Sequence, residues 1–139
     1  MKTKSLICTF LLLVALQSCK TINETSKIVG TWQLTTFHYG DNNQQTMPGN
    51  VHRIKLITMI HFTWVQFMTE NKQVESSAGG TFKVDGKNYT ESIDWAGSSM
   101  TSYLCKEQKF QIKIENDKMY LAGQLSDGER IEEVWIKLK

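Results

Sequence analysis

Three histidines, three cysteines and 14 acidic residues are the groups from which this chain could build a reactive centre. His38, His52 and His61 do not form a compact metal-ligand motif, and no cysteine pair accompanies them, so no metal site is expected. There is no Gly-x-Ser-x-Gly elbow, no phosphate-cradling loop and no His-Glu-x-x-His. Carboxylates such as Glu91 and Asp94 are not set apart as an acid–base pair. The expectation is therefore a protein that is not an enzyme and carries no cofactor. What remains is the chemistry of binding. Trp32, Trp64, Tyr89 and Trp95 offer flat apolar walls, while His61, Glu91 and Arg130 offer polar groups that could converge among them. Apolar walls with a few convergent polar groups are the usual makeup of a small-molecule site.

The elements that must position these residues are strands. From Ile28 the period is two, with Trp32 and Leu34 alternating against Thr31, Gln33 and Thr35. Residues 40–52 read as one long loop, with the chain's only proline, Pro48, beside Gly49. Arg53 to Thr58 and Phe62 to Met68 look like the arms of a hairpin, bending near Met59 to His61. Thr81 to Val84 and Tyr89 to Trp95 flank a strong turn at Asp85-Gly86-Lys87-Asn88. Lys109 to Ile114 and Met119 to Leu125 form another hairpin, and Arg130 to Leu138 is a last strand. Residues 96–107 read either as a strand at Thr101 to Cys105 or as a short helical crossover. Eight or nine short antiparallel strands joined by tight turns, with no convincing helical period, predict an all-β sandwich or closed barrel. An eight-stranded barrel encloses its side chains or one small ligand.

Alternation predicts which side chains point inward. Tyr89, Ile93 and Trp95 share a phase that carries Glu91 inward. On the last strand Val134, Ile136 and Leu138 share a phase with Arg130 and Glu132. For the second arm of the first hairpin two phases stand open: Phe62, Trp64 and Met68 inward, or His61, Val65 and Phe67. Candidate ligand-binding residues are thus Trp32, His61, Trp64, Tyr89, Glu91, Trp95 and Arg130. Glu91 has a second reading as a buried charge paired with Arg130 or a lysine.

The N-terminus has the three parts of an export signal: basic Lys2 and Lys4, an apolar run from Leu6 to Leu16, and small Ser18 before Cys19. The run is too short to be a spanning helix, which takes about 20 residues. Without residues 1–18 the chain has 14 basic and 14 acidic residues and is formally neutral, which gives no electrostatic case for nucleic acid. Cys8 leaves with the signal, so Cys105 has no partner for an intramolecular disulfide if Cys19 is modified, and it reads as a small buried hydrophobe. The organisation expected is a signal at 1–18, Cys19 and a flexible polar tether at 19–27, and one domain at 28–139.

Leu16-Gln17-Ser18-Cys19 resembles the lipobox of bacterial lipoproteins, which implies lipidation of Cys19 and attachment to a bilayer. Lys20 after the cysteine is similar to sorting patterns that lead to the outer membrane, so the implied place is the bacterial cell envelope. Gly30-Thr31-Trp32 is similar to the opening motif of lipocalins. Lys55 to Thr58, His61 to Val65, Ala78 to Phe82 and Tyr89 to Ile93, in that order, look like lipocalin-like domains of bacterial lipoproteins. That resemblance covers nearly all of 28–138 and implies an up-and-down barrel with a pocket, closed by a basic residue over Trp32, either Arg130 or Lys137. It makes the loop at 40–52 the natural lid. The expected function is binding of a small apolar or amphipathic ligand; the alternative is a solid barrel that binds a protein partner in the envelope.

Overall fold

The computed structural model describes residues 25–139. The expected signal, the lipobox and Cys19 lie outside the described residues. Nine strands follow in order: β1 (Gly30–Tyr39), β2 (Gln45–Thr46), β3 (Val51–Ile57), β4 (His61–Met68), β5 (Val74–Asp85), β6 (Asn88–Ala96), β7 (Glu107–Glu115), β8 (Lys118–Gln124) and β9 (Arg130–Lys137). All pairings are antiparallel between neighbours, and β1 also pairs with β9. Without the two-residue β2, the other eight strands form a closed up-and-down barrel, so the expected fold class holds. Among the described residues the strands close on a core of their own, as a single domain does.

The alternation of the sequence becomes the inside and outside of the barrel. One interior row runs Trp32, Lys55, Trp64, Ala78 across β1, β3, β4 and β5. Another runs Val84, Tyr89, Phe110, Gly123, Ile131, Tyr39 across β5 to β9 and back to β1. Phe62 and Trp64 therefore face inward, and His61 lies exposed at the start of β4. Two irregularities shift the phase. On β1 the register skips Thr35, so Phe37 and Tyr39 continue inward after Trp32 and Leu34. On β6 Asp94 is the extra residue, because Gly80 pairs with Ile93 while Gly79 pairs with Trp95.

The first end of the barrel, where β1 begins, is sealed. Residues 25–28 form a helical turn whose Thr25 and Ile28 are buried. The Trp32 indole N–H donates to the Ile28 carbonyl at 2.8 Å. The basic residue over Trp32 is Lys137, its Nζ 5.2 Å from the ring centroid, and not Arg130. Gly30, at φ +143°, leaves the space that the Lys137 stem fills, since a Cβ there would lie 2.7 Å from Lys137 Cε.

At the other end β1 and β3 part company. They pair only from Gly30–Gln33, after which Thr36 and Phe37 turn to β2. The expected loop thus carries a strand of its own and lies along this seam, with Met47 packed against the core. Residues Ser98–Tyr103 form a 3-10 helix, which resolves the 96–107 segment as a helical crossover. Cys105 follows it, exposed and at φ +57°, in a turn and not in a strand interior; the buried-hydrophobe reading is corrected. Among the described residues no helix is long and apolar enough to cross a membrane.

Candidate functional site

A cavity of about 180 Å³ occupies the half of the barrel away from Trp32. Its apolar walls are Trp64, Ala78, Ile93, Phe110, Leu121 and Ile131, with Met100 and Tyr103 of the 3-10 helix and Leu125 at the mouth. Its polar members are Tyr39, Arg53, Lys55, Ser76, Glu91, Gln108, Glu129 and Glu133. An apolar cavity of about 150 Å³ accepts benzene, so the size suits a small ring compound or the end of a chain.

The polar groups fall into two sets. At the inner end Lys55 Nζ lies 2.6 Å from Glu91 Oε1, and the Tyr89 hydroxyl donates to the same oxygen at 2.8 Å. The ammonium is ringed by Phe62, Tyr89 and Trp135, with centroids 5.1 to 5.9 Å away. Lys55 and Glu91 are each 3% exposed. A buried charge survives only when paired, and here the pairing is short and enclosed by π-faces. Burial, and then the Glu91 charge beside it, raise the Tyr89 hydroxyl well above its ordinary pKa, so Tyr89 stays a neutral donor.

Nearer the mouth, Arg53 reaches across the seam between β3 and β1. Its Nη1 donates to the Tyr39 hydroxyl at 2.5 Å and faces Glu133 Oε1 at 3.4 Å, while Nε and Nη2 donate to Gln66 Oε1. Tyr39 donates to Glu133 Oε1 at 2.5 Å, and the Trp135 indole donates to Glu133 Oε2 at 3.0 Å. The guanidinium also lies over the Trp64 ring at 5.0 Å. Burial first, then Glu133, raise the Tyr39 pKa, so this hydroxyl too remains protonated. Gln108 is held separately, exchanging two hydrogen bonds with Ser126.

Of the seven candidate residues, Trp64 and Glu91 line the cavity, and Tyr89 stands behind Glu91 and bonds it. Trp32 is fully buried but belongs to the sealed end. The inward placement of Trp95 is corrected: the bulge at Asp94 turns it outside, where it lies against Gly79 and is 46% exposed. A Cβ on Gly79 would sit 2.4 Å from the indole, so the glycine is what lets the ring lie flat. Arg130 is likewise outside, because the inward phase of β9 is Ile131, Glu133 and Trp135. It pairs with Glu132 on the surface and not with Glu91. His61 is exposed at the bend. The residues that sequence reasoning missed are Tyr39, Arg53, Lys55, Glu133 and Trp135. A signal for two of them was present: Arg53 and Lys55 share the phase of Ile57 on β3. Among the described residues no group of three or more His, Cys, Asp or Glu could hold a metal ion.

A closed antiparallel barrel with an internal cavity is a lipocalin-like fold. Within that class, the chain belongs to the family described as a domain of unknown function, DUF4488, which it matches over residues 27–139. Among solved structures it is similar to a lipocalin-like protein from Bacteroides uniformis ATCC 8492, with TM-score 0.61 and 12% identity, covering 81% of this chain and 99% of that one. It is also similar to an uncharacterized protein from Bacteroides eggerthii DSM 20697, with TM-score 0.57 and 16% identity, covering 79% and 98%. A redesigned β-barrel, mFAP1, bound to DFHBI, aligns with TM-score 0.50 and 12% identity over 81% of this chain and 97% of that one. At these identities the likeness is one of fold. No curated protein matches the chain by sequence.

Proposed function

We propose that this chain is a lipid-anchored binding protein whose barrel takes up a small amphipathic molecule. The observation that carries the reading is the cavity of about 180 Å³, in which aromatic and aliphatic walls meet buried polar groups on one side. Such a lining is what a small-molecule site requires. The redesigned barrel bound to DFHBI lends support, since its architecture is similar and it holds a ligand. Native mass spectrometry of the segment from Lys20 onward, purified from its own host, tests the reading. A reproducible small-molecule adduct is expected, and a protein that stays unliganded and takes up no added amphiphile would count against it.

The anchor is Cys19, through which the chain would sit on a bilayer of the bacterial envelope, in the outer membrane. Two acyl chains hold a domain on a membrane stably, where one does so marginally. Five residues separate Cys19 from Thr25, and the six steps between them reach about 20 Å when fully extended. Because Thr25 lies at the sealed end, the mouth of the cavity would open away from the lipid. Lipid-specific mass on the peptide beginning at Cys19, lost in Cys19→Ser, is the expected result; unmodified cysteine in the membrane fraction would refute it. The alternative of an interaction module has its support in Trp95, an indole 46% exposed on the outer wall. A partner captured by the wild-type domain and lost in Trp95→Ala, with no bound small molecule, would favour it.

A further inference from the structure

The two cavity carboxylates differ in what they leave unused. Both oxygens of Glu133 are engaged, Oε1 by Tyr39 and Arg53 and Oε2 by the Trp135 indole. Glu91 takes both of its donors, Lys55 and Tyr89, on Oε1. Its Oε2 takes neither of them and is not among the buried side-chain atoms left without a partner, so it stays open to the cavity that Glu91 lines. A carboxylate oxygen open to an apolar cavity is a ready acceptor for a ligand's donor. The charges around it are already matched: Arg53 and Lys55 stand against Glu133 and Glu91, and Glu129 adds one carboxylate at the exposed rim. Because the one unmatched carboxylate lies at the exposed rim, a ligand charge of either sign placed beside Glu91 would be uncompensated within the enclosure.

We infer that the ligand is a neutral, ring-sized alcohol or phenol, whose hydroxyl donates to Glu91 Oε2 while its apolar body lies against Trp64, Ile93, Phe110 and Leu121. This rests on the reading of the cavity as a binding site and adds the class of molecule to it. The hydroxyl would make a charge-assisted hydrogen bond, which is stronger than a neutral one. An anion would meet Glu91 and the Glu129 rim; a cation would unbalance the Lys55–Glu91 pair.

The test is an NMR titration of the segment from Lys20 onward with four probes of matched ring size: 2-naphthol, 2-methoxynaphthalene, naphthalene and 2-naphthoate. The expected order places 2-naphthol about tenfold or more tighter than 2-methoxynaphthalene, which has the oxygen but no donor. Naphthalene should follow the methoxy compound, and 2-naphthoate should bind weakest. In Glu91→Gln the lead of 2-naphthol over 2-methoxynaphthalene should shrink to within about threefold, by loss of the charge assistance. Equal binding of the two neutral oxygen compounds, or tighter binding of 2-naphthoate, overturns the inference while leaving the cavity a binding site. Failure of all four to bind overturns the site itself. The wild-type series decides the matter even if Glu91→Gln does not fold.

Discussion

Arg53 and Lys55 stand two positions apart on one strand, both point into the barrel, and each faces a carboxylate, yet they are held in opposite ways. Lys55 sits 2.6 Å from Glu91 with both side chains 4% exposed, and its other surroundings are aromatic rings. Arg53 sits 3.4 Å from Glu133 with side chains 18% and 7% exposed, and spreads its donors over Tyr39, Gln66 and Glu133. The difference follows from the cations. An ammonium is a compact point charge suited to one short contact in a cage, whereas a guanidinium is a planar fork that serves several acceptors. The inner pair is short and has little in reserve; the outer one is redundant, because Glu133 keeps Tyr39 and Trp135 when Arg53 is gone. One strand thus supplies a rigid inner end to the cavity and a broad latch across the seam near its mouth.

The sharpest break of this comparison is Lys55→Met. It leaves Glu91 buried with Tyr89 as its one remaining donor among the described residues, and loss of one member of a buried pair costs about 3–5 kcal/mol. Denaturant unfolding should show this as a lowered midpoint at unchanged slope. Lys55→Met combined with Glu91→Leu should recover most of the loss or exceed the parent, since buried pairs replaced whole are often neutral or better. A double variant as damaged as the single one would mean that the pair stabilises the barrel in its own right.

Arg53→Met should cost less, about 1–3 kcal/mol, because Tyr39 and Glu133 retain each other and the half-buried Gln66 keeps its bond to Glu75. Tyr39→Phe should cost about 1 kcal/mol, the scale of one hydrogen bond to Glu133. Equal losses for Arg53→Met and Lys55→Met, measured in the same denaturant series, would erase the distinction between latch and inner pair.

How much of this could be read from the sequence depends on how strictly alternation held. The barrel was legible because Trp32, Leu34, Tyr89, Glu91 and Ile93 keep a period of two, and turns such as Asp85 to Asn88 are strongly marked. Glu91 and Trp64 were legible as cavity residues for the same reason. Trp95 was not, because the extra residue Asp94 reverses the phase within its strand, and a bulge leaves no mark in hydrophobicity. β9 misled in another way: both of its phases are apolar, and the aliphatic set Val134, Ile136 and Leu138 is the outer one. Arg53 and Lys55 were hidden by their type, since long cations on a strand are ordinarily exposed, and their partners Glu133 and Glu91 come from distant strands. Tyr39 lay beyond the bulge at Thr35, and Cys105 read as buried although it lies exposed in the turn after the 3-10 helix.

The smallest expected effect lies on the outer wall, where Arg130 pairs with Glu132 at 2.5 Å with side chains 68% and 43% exposed. It is shorter on paper than either inner contact, so it separates distance from burial. Arg130 first, against an opposing desolvation, lowers the pKa of Glu132, with His38 adding to the shift. A carboxylate whose pKa is lower in the folded chain stabilises it above the unfolded value of about 4. That contribution is lost as the pH falls through the lowered folded value. Arg130→Ala should therefore cost no more than about 0.5 kcal/mol near neutrality, and the difference from wild type should vanish in acid and shrink in added salt. Paired unfolding curves at neutral and acid pH would show it. A loss from Arg130→Ala as large as that from Arg53→Met would mean that contact distance, and not enclosure, sets what an ion pair contributes in this barrel, and the contrast between its inner end and its mouth would have to be redrawn.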